Sequence, residues 1–456
     1  MSLLSAALEH TVESSPFTTL ETFRKHLDPG WIEEALTATG TASMRKRRLP
    51  AEQVIWLVIG MALMRDRPMP DVIAQLELVL PGAKGEDVAA SAIAKARQRV
   101  GEDPLAWLFE RSAQQWAHAS ARANAWRGLA VYAVDGTTLR VADTMENRAY
   151  FGLADGGHRG PSGYPLVRLA TLLAVRSHLL AAAAFGPYGR SEKHYADKLW
   201  AEVPEHSLML VDRNFLSAPI LWTLQHGKQN RHWLIRAKSN TQWRVLRELG
   251  PHDHLVELKV SRQSRQQHPD LPATLRARAI RYRHPDSKGE QWLLTSLVES
   301  DAYPAEELIA LYHERWEIEL SYDELKTHLL DGEVTLRSKR PDSVRQELWG
   351  VLLTYNLIRL EMERIAQELD VPPARISFMA AVRYIRDEWL WCTVASPGSI
   401  PAKLRRMRHR IATHLLPPRR SHRRYPRAVK IKMSKYAKKR RPNEPQKQQR
   451  ASSTVA

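Results

Sequence analysis

Hydrophobic positions change their spacing near residue 129, and the change divides the chain into a helical part and a mixed one. Upstream, Pro50 opens a run over 51–65 with helix-like apolar spacing, and 69–80 gives a second such segment. Residues 91–100 read as a short helix with Lys95, Arg97 and Arg99 grouped, and Gly101 stands where it can close it. Short helices ending in a basic one are a weak pattern for a helix-turn-helix reader; a solvated basic face is the plainer reading. Residues 1–125 are thus expected to be mainly helical. Downstream, 129–134 is a short apolar run that stops at Asp135-Gly136, which reads as a strand closing on a carboxylate and a turn. Further strands are expected at 166–175, 179–185 and 208–211, the last ending at Asp212, with a helix at 192–200. Residues 232–298 look β-rich, with strands at 232–237, 255–260, 275–283 and 292–297 and a hairpin turn at 286–289. Pro304 then opens a helix, and 344–369 and 376–391 predict two more. This is an α/β core preceded by an all-α region and followed by helices.

The helix after Pro304 carries Tyr312, Arg315, Glu319 and Lys326 at separations of three, four and seven. At about 100° per residue the four fall within an arc of roughly 60°. Leu311, Ile318, Leu325 and Leu329 form a neighbouring apolar stripe that can seat the helix on a core. One edge then holds a carboxylate among two cations and a phenol, a set suited to a metal beside a phosphate. Each acid also has an ordinary role open to it. Glu319 can pair with Arg315 on the surface for a few tenths of a kcal/mol. Asp135 before Gly136 is a common turn former. Asp212 can cap the next helix or pair with Arg213. Together, three acids on two strand ends and a helix can bind two hard cations such as Mg²⁺ or Mn²⁺. Such a pair of ions suits in-line phosphoryl displacement.

Charge supplies a substrate class. Residues 401–456 hold 19 Lys/Arg and one acid, Glu444, so they carry all of the chain's net charge of +18 and residues 1–400 balance. Five prolines and a Gln-rich end make 417–456 a basic tail unsuited to a core. A basic tail on a neutral body is the footprint of a polyanion partner, and the basic run at 45–48 adds to it. Cys392 is the only cysteine among the 456 residues, which excludes intrachain disulfides and cysteine zinc sites. The longest uninterrupted apolar run, 54–64, is too short to span a bilayer. The N-terminus has no signal-peptide pattern. A cytoplasmic chain without a membrane partner is expected.

Tyr312-x2-Arg315-x3-Glu319-x6-Lys326 is similar in full to the YREK signature of the DDE transposases of bacterial insertion elements, in the family named after insertion sequence four. Val134-Asp135-Gly136-Thr137, with Asp143-Thr144, resembles that family's first-aspartate segment, and Val211-Asp212-Arg213-Asn214-Phe215 its second. Residues 45–66 and 94–101 resemble its N-terminal domain, so the likeness covers roughly 40–395. It implies an RNase H-like catalytic core with a β-rich insertion at about 232–298. It also implies that Asp135, Asp212 and Glu319 hold two Mg²⁺ or Mn²⁺ ions. Tyr312, Arg315 and Lys326 would then grip phosphates near the element's terminal bases.

The expected domains are a helical DNA-binding domain at 1–125, a catalytic domain at 126–345, a helical region at 346–416 and the basic tail at 417–456. The expected partner is double-stranded DNA, both element ends and target, bound by a homodimer assembled on DNA in the bacterial cytoplasm and associated with the nucleoid. In the insertion, Arg276, Arg278, Arg281 and Arg283 offer a second DNA surface. Trp233, Trp243 and Trp292 are stacking candidates for which core packing is the plainer role. Two rival readings use the same residues: an RNase H-like nuclease or resolvase without strand transfer, and a DNA-binding protein without catalysis. Deleting residues 417–456 is expected to flatten the salt dependence of DNA binding and leave preference for element ends intact. Filter binding over a salt series checks this, and loss of end preference would make the tail a specific reader.

Overall fold

A computed structural model describes residues 27–42, 49–76, 89–155, 162–283, 289–332, 335–392 and 399–417. The helices ahead of the sheet are α1 (Pro29–Ala38), α2 (Ala51–Leu63), α3 (Met69–Gln75), α4 (Ala90–Val100), α5 (Asp103–Ser112) and α6 (His118–Ala123). Pro50 stands at the start of α2 with φ −64°, and Gly101 closes α4 with φ +69°. Apolar side chains surround α2, and it is accordingly buried on almost every side.

The strands are β1 (Ala130–Val141), β2 (Leu166–Ala174), β3 (Leu179–Pro187), β4 (Ser207–Val211), β5 (Arg231–Arg236), β6 (Trp243–Gly250), β7 (Asp253–Lys259), β8 (Thr274–Arg283), β9 (Glu290–Thr295) and β10 (Thr335–Leu336). They form one sheet in the order β3-β2-β1-β4-β5-β9-β8-β7-β6, with β10 beside β1. β2 runs antiparallel to β1 and β3, whereas β4 and β5 run parallel to β1. That five-strand order is the RNase H-like core. The stretch expected to be an insertion begins with the core's own last strand, since β5 pairs with β4; β6 to β9 then extend the sheet antiparallel from it.

β1 organises the centre. One of its edges pairs with β2 from Tyr132 to Arg140. On the opposite edge β4 stops at Val134↔Val211 and β10 begins only at Arg140↔Thr335. Among the described residues, 135–139 of that edge therefore have no strand neighbour. Asp135 is thus inside a strand and not at its end, contrary to the sequence reading. Gly136 is an extended strand residue paired with Ala170, because the long pairing with β2 overrides the turn preference of Asp-Gly.

The remaining helices are α7 (Met145–Phe151), α8 (Glu192–Ala196), α9 (Ala218–His226), α10 (Arg262–Gln267), α11 (Ala305–His313), α12 (Glu317–Asp323), α13 (Pro341–Glu368), α14 (Phe378–Cys392) and α15 (Ile400–Ala412). The long α13 lies between the N-terminal helices and the sheet. Gly350 permits its crossing with α2, since a Cβ there would sit 2.4 Å from Val58 Cγ1. Arg97 of the supposed basic face is buried under α13 and donates to Gln346 (2.8 Å) and to the Ser343 carbonyl (3.0 Å). Lys95 and Arg99 remain exposed. The basic run 45–48, nearly all of the turn 286–289 and the tail from 418 lie outside the described residues. Among the described residues no helix is long and apolar enough to cross a membrane.

A buried charge network joins the β2–β3 turn, α12, the residues after it, and α13. His178 Nε2 bonds Glu317 (2.7 Å), Glu324 accepts from Tyr355 (2.8 Å), and Arg359 pairs with both Glu324 and His178. Burial alone would raise the Glu324 carboxyl, but Arg359 and then His178 outweigh it and hold it at about 2. Its folded value lies below the ordinary 4.5, so its contribution to stability is complete above that pH and fades as pH falls towards about 2. Arg359→Met, which leaves the acid buried without its cation, is expected to cost about 3–5 kcal/mol in urea unfolding at pH 7. A loss under about 1 kcal/mol, the size of an exposed pair, would contradict the network's role.

Candidate active site

The β1–β4 register brings the two aspartates together. Val134 and Val211 are the last paired residues, so Asp135 and Asp212 each follow directly on adjacent parallel strands. Asp135 Oδ1 accepts from the Gly136 amide (2.9 Å). Asp212 caps the turn Arg213–Phe215, accepting from the Asn214 amide (2.9 Å), so its capping role and its place beside Asp135 coexist. Burial pushes the Asp135 carboxyl up to about 7. The Gly136 amide and Arg315 oppose that rise, while Glu192 and Asp212 add to it.

The segment with the other four candidates is not one regular helix. After α11 comes a 3₁₀ turn, Glu314–Trp316, then α12, then a π-helical stretch, Glu324–Leu329. A 3₁₀ turn advances about 120° per residue, so the segment departs from a single α-helix, yet Arg315 still meets Glu319 at i,i+4. Tyr312 is buried, and its hydroxyl donates to the carbonyl of Val211 (3.3 Å), directly before Asp212. Burial pushes that phenol up to about 12. Arg315 Nη2 donates to Glu319 Oε1 (3.1 Å), the i,i+4 pair open from the sequence. Burial would lower the Arg315 guanidinium, but Tyr312, Asp212 and Glu319 together raise it. The Glu319 side chain is 40% exposed and can leave that pair. Lys326 is half-buried, burial lowers its pKa, and no hydrogen bond or ion pair holds it among the described residues.

Tyr322, one turn beyond Glu319, ties this segment to β1. Its hydroxyl donates to the Asp135 carbonyl (2.6 Å) and lies 2.9 Å from the Thr171 hydroxyl. That carbonyl faces β2, so the bond lays the segment over the β1–β2 pair, beside the edge that β4 leaves open. Three residues of the neighbourhood escaped the sequence reading. Trp316 is exposed, with the Arg315 guanidinium 5.5 Å from its ring centre. Lys238 donates to the Leu216 carbonyl (3.2 Å) and interacts with Asp212. Arg236, at the end of β5, lies near enough to act on the Tyr312 phenol. The signal for the last two was their place at or just past the end of a strand neighbouring β4. A groove of about 670 Å³ beyond Asp212 is lined by Lys238, Lys259, Arg262 and Arg265 among others.

Other candidates have structural duties. Arg278 is buried in an ion pair with Asp253 (2.5 Å), and Arg281 pairs with Glu290 (2.9 Å). The arginine row of the insertion is therefore not one open surface; Arg276 and Arg283 alone of it are exposed. Trp233 is fully buried, and Trp243 packs against Trp292 with ring centres 5.3 Å apart. Asp143 pairs with Arg148, Glu317 with His178, and Asp323 accepts from Thr327.

Among the described residues no three acidic, imidazole or thiol side chains already stand close enough to cage an ion. The donor set nevertheless fits a divalent cation. The carboxylates of Glu192 and Asp212 lie near enough to act on Asp135, whose charged form is disfavoured by burial and by like charges, a balance that a cation would reverse.

Comparison with known proteins agrees along most of the chain. Residues 17–110 match the family model "Insertion element 4 transposase N-terminal", and 126–357 match "Transposase DDE domain". The chain is 38% identical over 438 residues to the transposase InsG for insertion sequence element IS4 of Escherichia coli (strain K12), covering 95% of this chain and 96% of the relative. It is 37% identical over 236 residues to the putative transposase InsZ of the same organism, covering 52% of this chain and 77% of that one. A solved piggyBac transposase synaptic complex with hairpin DNA aligns over 87% of this chain and 85% of its own, at 12% identity and a TM-score of 0.40.

Tyr322→Phe removes the tie between α12 and β1 and is expected to lower stability by about 1–2 kcal/mol. Urea titration measures it; an unchanged midpoint would show that the bond to Asp135 does not hold the segment in place.

Proposed function

Because the chain belongs to the insertion element 4 family of DDE transposases, we propose that it binds the terminal inverted repeats of its element, cuts at the ends and joins the freed 3′-hydroxyls to target DNA. The observation that carries the reading is the open edge of β1, where Asp135 and Asp212 meet beneath the segment bearing Arg315 and Glu319. Asp135 and Asp212 hold the divalent metal, and Glu319 joins them by exchanging Arg315 for the cation. Two Mg²⁺ or Mn²⁺ ions, when bound, activate the attacking water or 3′-hydroxyl and stabilise the leaving oxygen.

The chain's own groups prepare the phosphate. Arg315, released from Glu319, presents a planar fork of donors to the scissile or adjacent phosphate, and Lys326 supplies an unpaired point charge. Tyr312 acts beside them: its hydroxyl sits on the Val211 carbonyl and can turn to a phosphate as the end docks. Trp316 offers an exposed face on which an unpaired base can stack. Lys238, Lys259, Arg262 and Arg265 line a groove that can follow the DNA backbone away from Asp212.

The helical region 1–125 serves as the reader of the element end, 126–345 as the catalytic domain, and 346–416 as the helical support for both. The tail at 417–456 adds sequence-independent affinity and keeps the protein with the nucleoid. Two ends are processed together, so the active species is a homodimer assembled on DNA. Asp135→Asn and Glu319→Gln are each expected to reduce end cleavage by more than about 100-fold, beyond what loss of a residue supporting a ligand gives. End binding in gel shifts should persist. Cleavage at the wild-type rate by either folded, DNA-binding variant would contradict the assignment.

A further inference from the structure

Glu192 opens α8, where Ser191 caps the helix by accepting from the His194 amide (3.2 Å). Its side chain lies directly over Gly136, the neighbour of Asp135. A Cβ at position 136 would stand 2.4 Å from Glu192 Cγ and 2.7 Å from its carboxyl carbon. Only glycine leaves room for the acid there. The same helix is seated a second time by Gly186, where a Cβ would meet the Tyr195 hydroxyl at 2.7 Å; that hydroxyl donates to the Pro187 carbonyl (2.9 Å). Two glycine gaps, on β1 and β3, thus dock α8 with its first carboxylate against the strand that carries Asp135.

The carboxylate has no compensation. Among the described residues Glu192 has neither a hydrogen-bond donor nor an ion-pair partner, whereas Asp143, Glu317 and Asp323 are all engaged. Its charge weighs on Asp135 more than that of Asp212 does. Glu319, meanwhile, is held by Arg315. Holding two acids together with no cation is unfavourable by itself, and becomes favourable when an ion binds between them.

We propose that Glu192 is a fourth carboxylate of the metal site, facing the ion held by Asp135. This rests on the metal-site reading above and extends it to a residue outside the Asp135–Asp212–Glu319 set. The predicted consequence is that the protein binds its first ion before Glu319 leaves Arg315, with Asp135, Asp212 and Glu192 as ligands or as the shell around its waters.

Mn²⁺ titration of the full-length protein without DNA, with free ion read by electron paramagnetic resonance, tests the proposal. Glu192→Gln is expected to weaken binding about 10-fold or more, and Glu192→Asp to recover part of it. The Mn²⁺ concentration for half-maximal end cleavage should rise with the weaker binding. Gly136→Ala, which pushes the carboxylate away without removing it, is expected to act in the same direction and covers the case of an unfolded Glu192→Gln. Asp135→Asn, run in parallel, separates the claims. If it weakens Mn²⁺ binding and folded Glu192→Gln does not, the role of Glu192 is overturned and the metal site stands. If neither changes the titration, both are overturned.

Discussion

Parallel pairing between β1 and β4 stops at Val134 and Val211, while β2 continues to hold the other edge of β1 as far as Arg140. This unequal pairing leaves a rigid strand with a bare edge in the middle of a sheet, and everything proposed for the site depends on it. Asp135 gains a backbone fixed by β2. Asp212 gains a position beside it as the first residue past β4. The Tyr322 hydroxyl bonds the Asp135 carbonyl and the Thr171 hydroxyl of β2, which fixes the segment of Glu319 over the β1–β2 pair next to that edge. A site assembled from a sheet in this way needs little reorganisation of its backbone when substrate arrives.

Glu319 is held differently from the aspartates, and the difference has a functional sense. Its segment is irregular, passing from 3₁₀ to α to π geometry within sixteen residues, 314–329. One side of it is fastened to α13 and the β2–β3 turn by Glu317, Glu324, His178 and Arg359, deep in the protein. Towards the site, Tyr322 holds the segment to β1, and Arg315 pairs with the partly exposed Glu319. A backbone fixed on its buried side and a carboxylate loosely paired on its open side allow Glu319 to exchange partners without moving the helix. Charges of the same kind are therefore structural on one face of this segment and available on the other.

Much of this was legible in the sequence. The strands β1 to β5, the insertion and the spacing of Tyr312, Arg315, Glu319 and Lys326 all follow from apolar periodicity and from the residues between. The extent of β1 was not legible, because Asp-Gly is a turn signal and only the distant partner β2 keeps it extended. β6 was missed because it is a charged edge strand with an exposed surface and no apolar alternation. The burial of Arg97 and Arg278 was hidden for a related reason: their partners lie 249 residues downstream, at Gln346, and 25 upstream, at Asp253. The inward position of Tyr312 was hidden in the same way, since its partner is the Val211 carbonyl, 101 residues upstream.

The central claim is that Asp135, Asp212 and Glu319 surround one divalent-metal centre at the open edge of β1. Crystals of the protein bound to a pre-cut element end and soaked in Mn²⁺ would test it directly through anomalous scattering. Anomalous density is expected between the three carboxylates, with Glu319 turned away from Arg315 towards the ion. Density confined to other acids, or a Glu319 still paired with Arg315 in a complex that goes on to join strands, would contradict it.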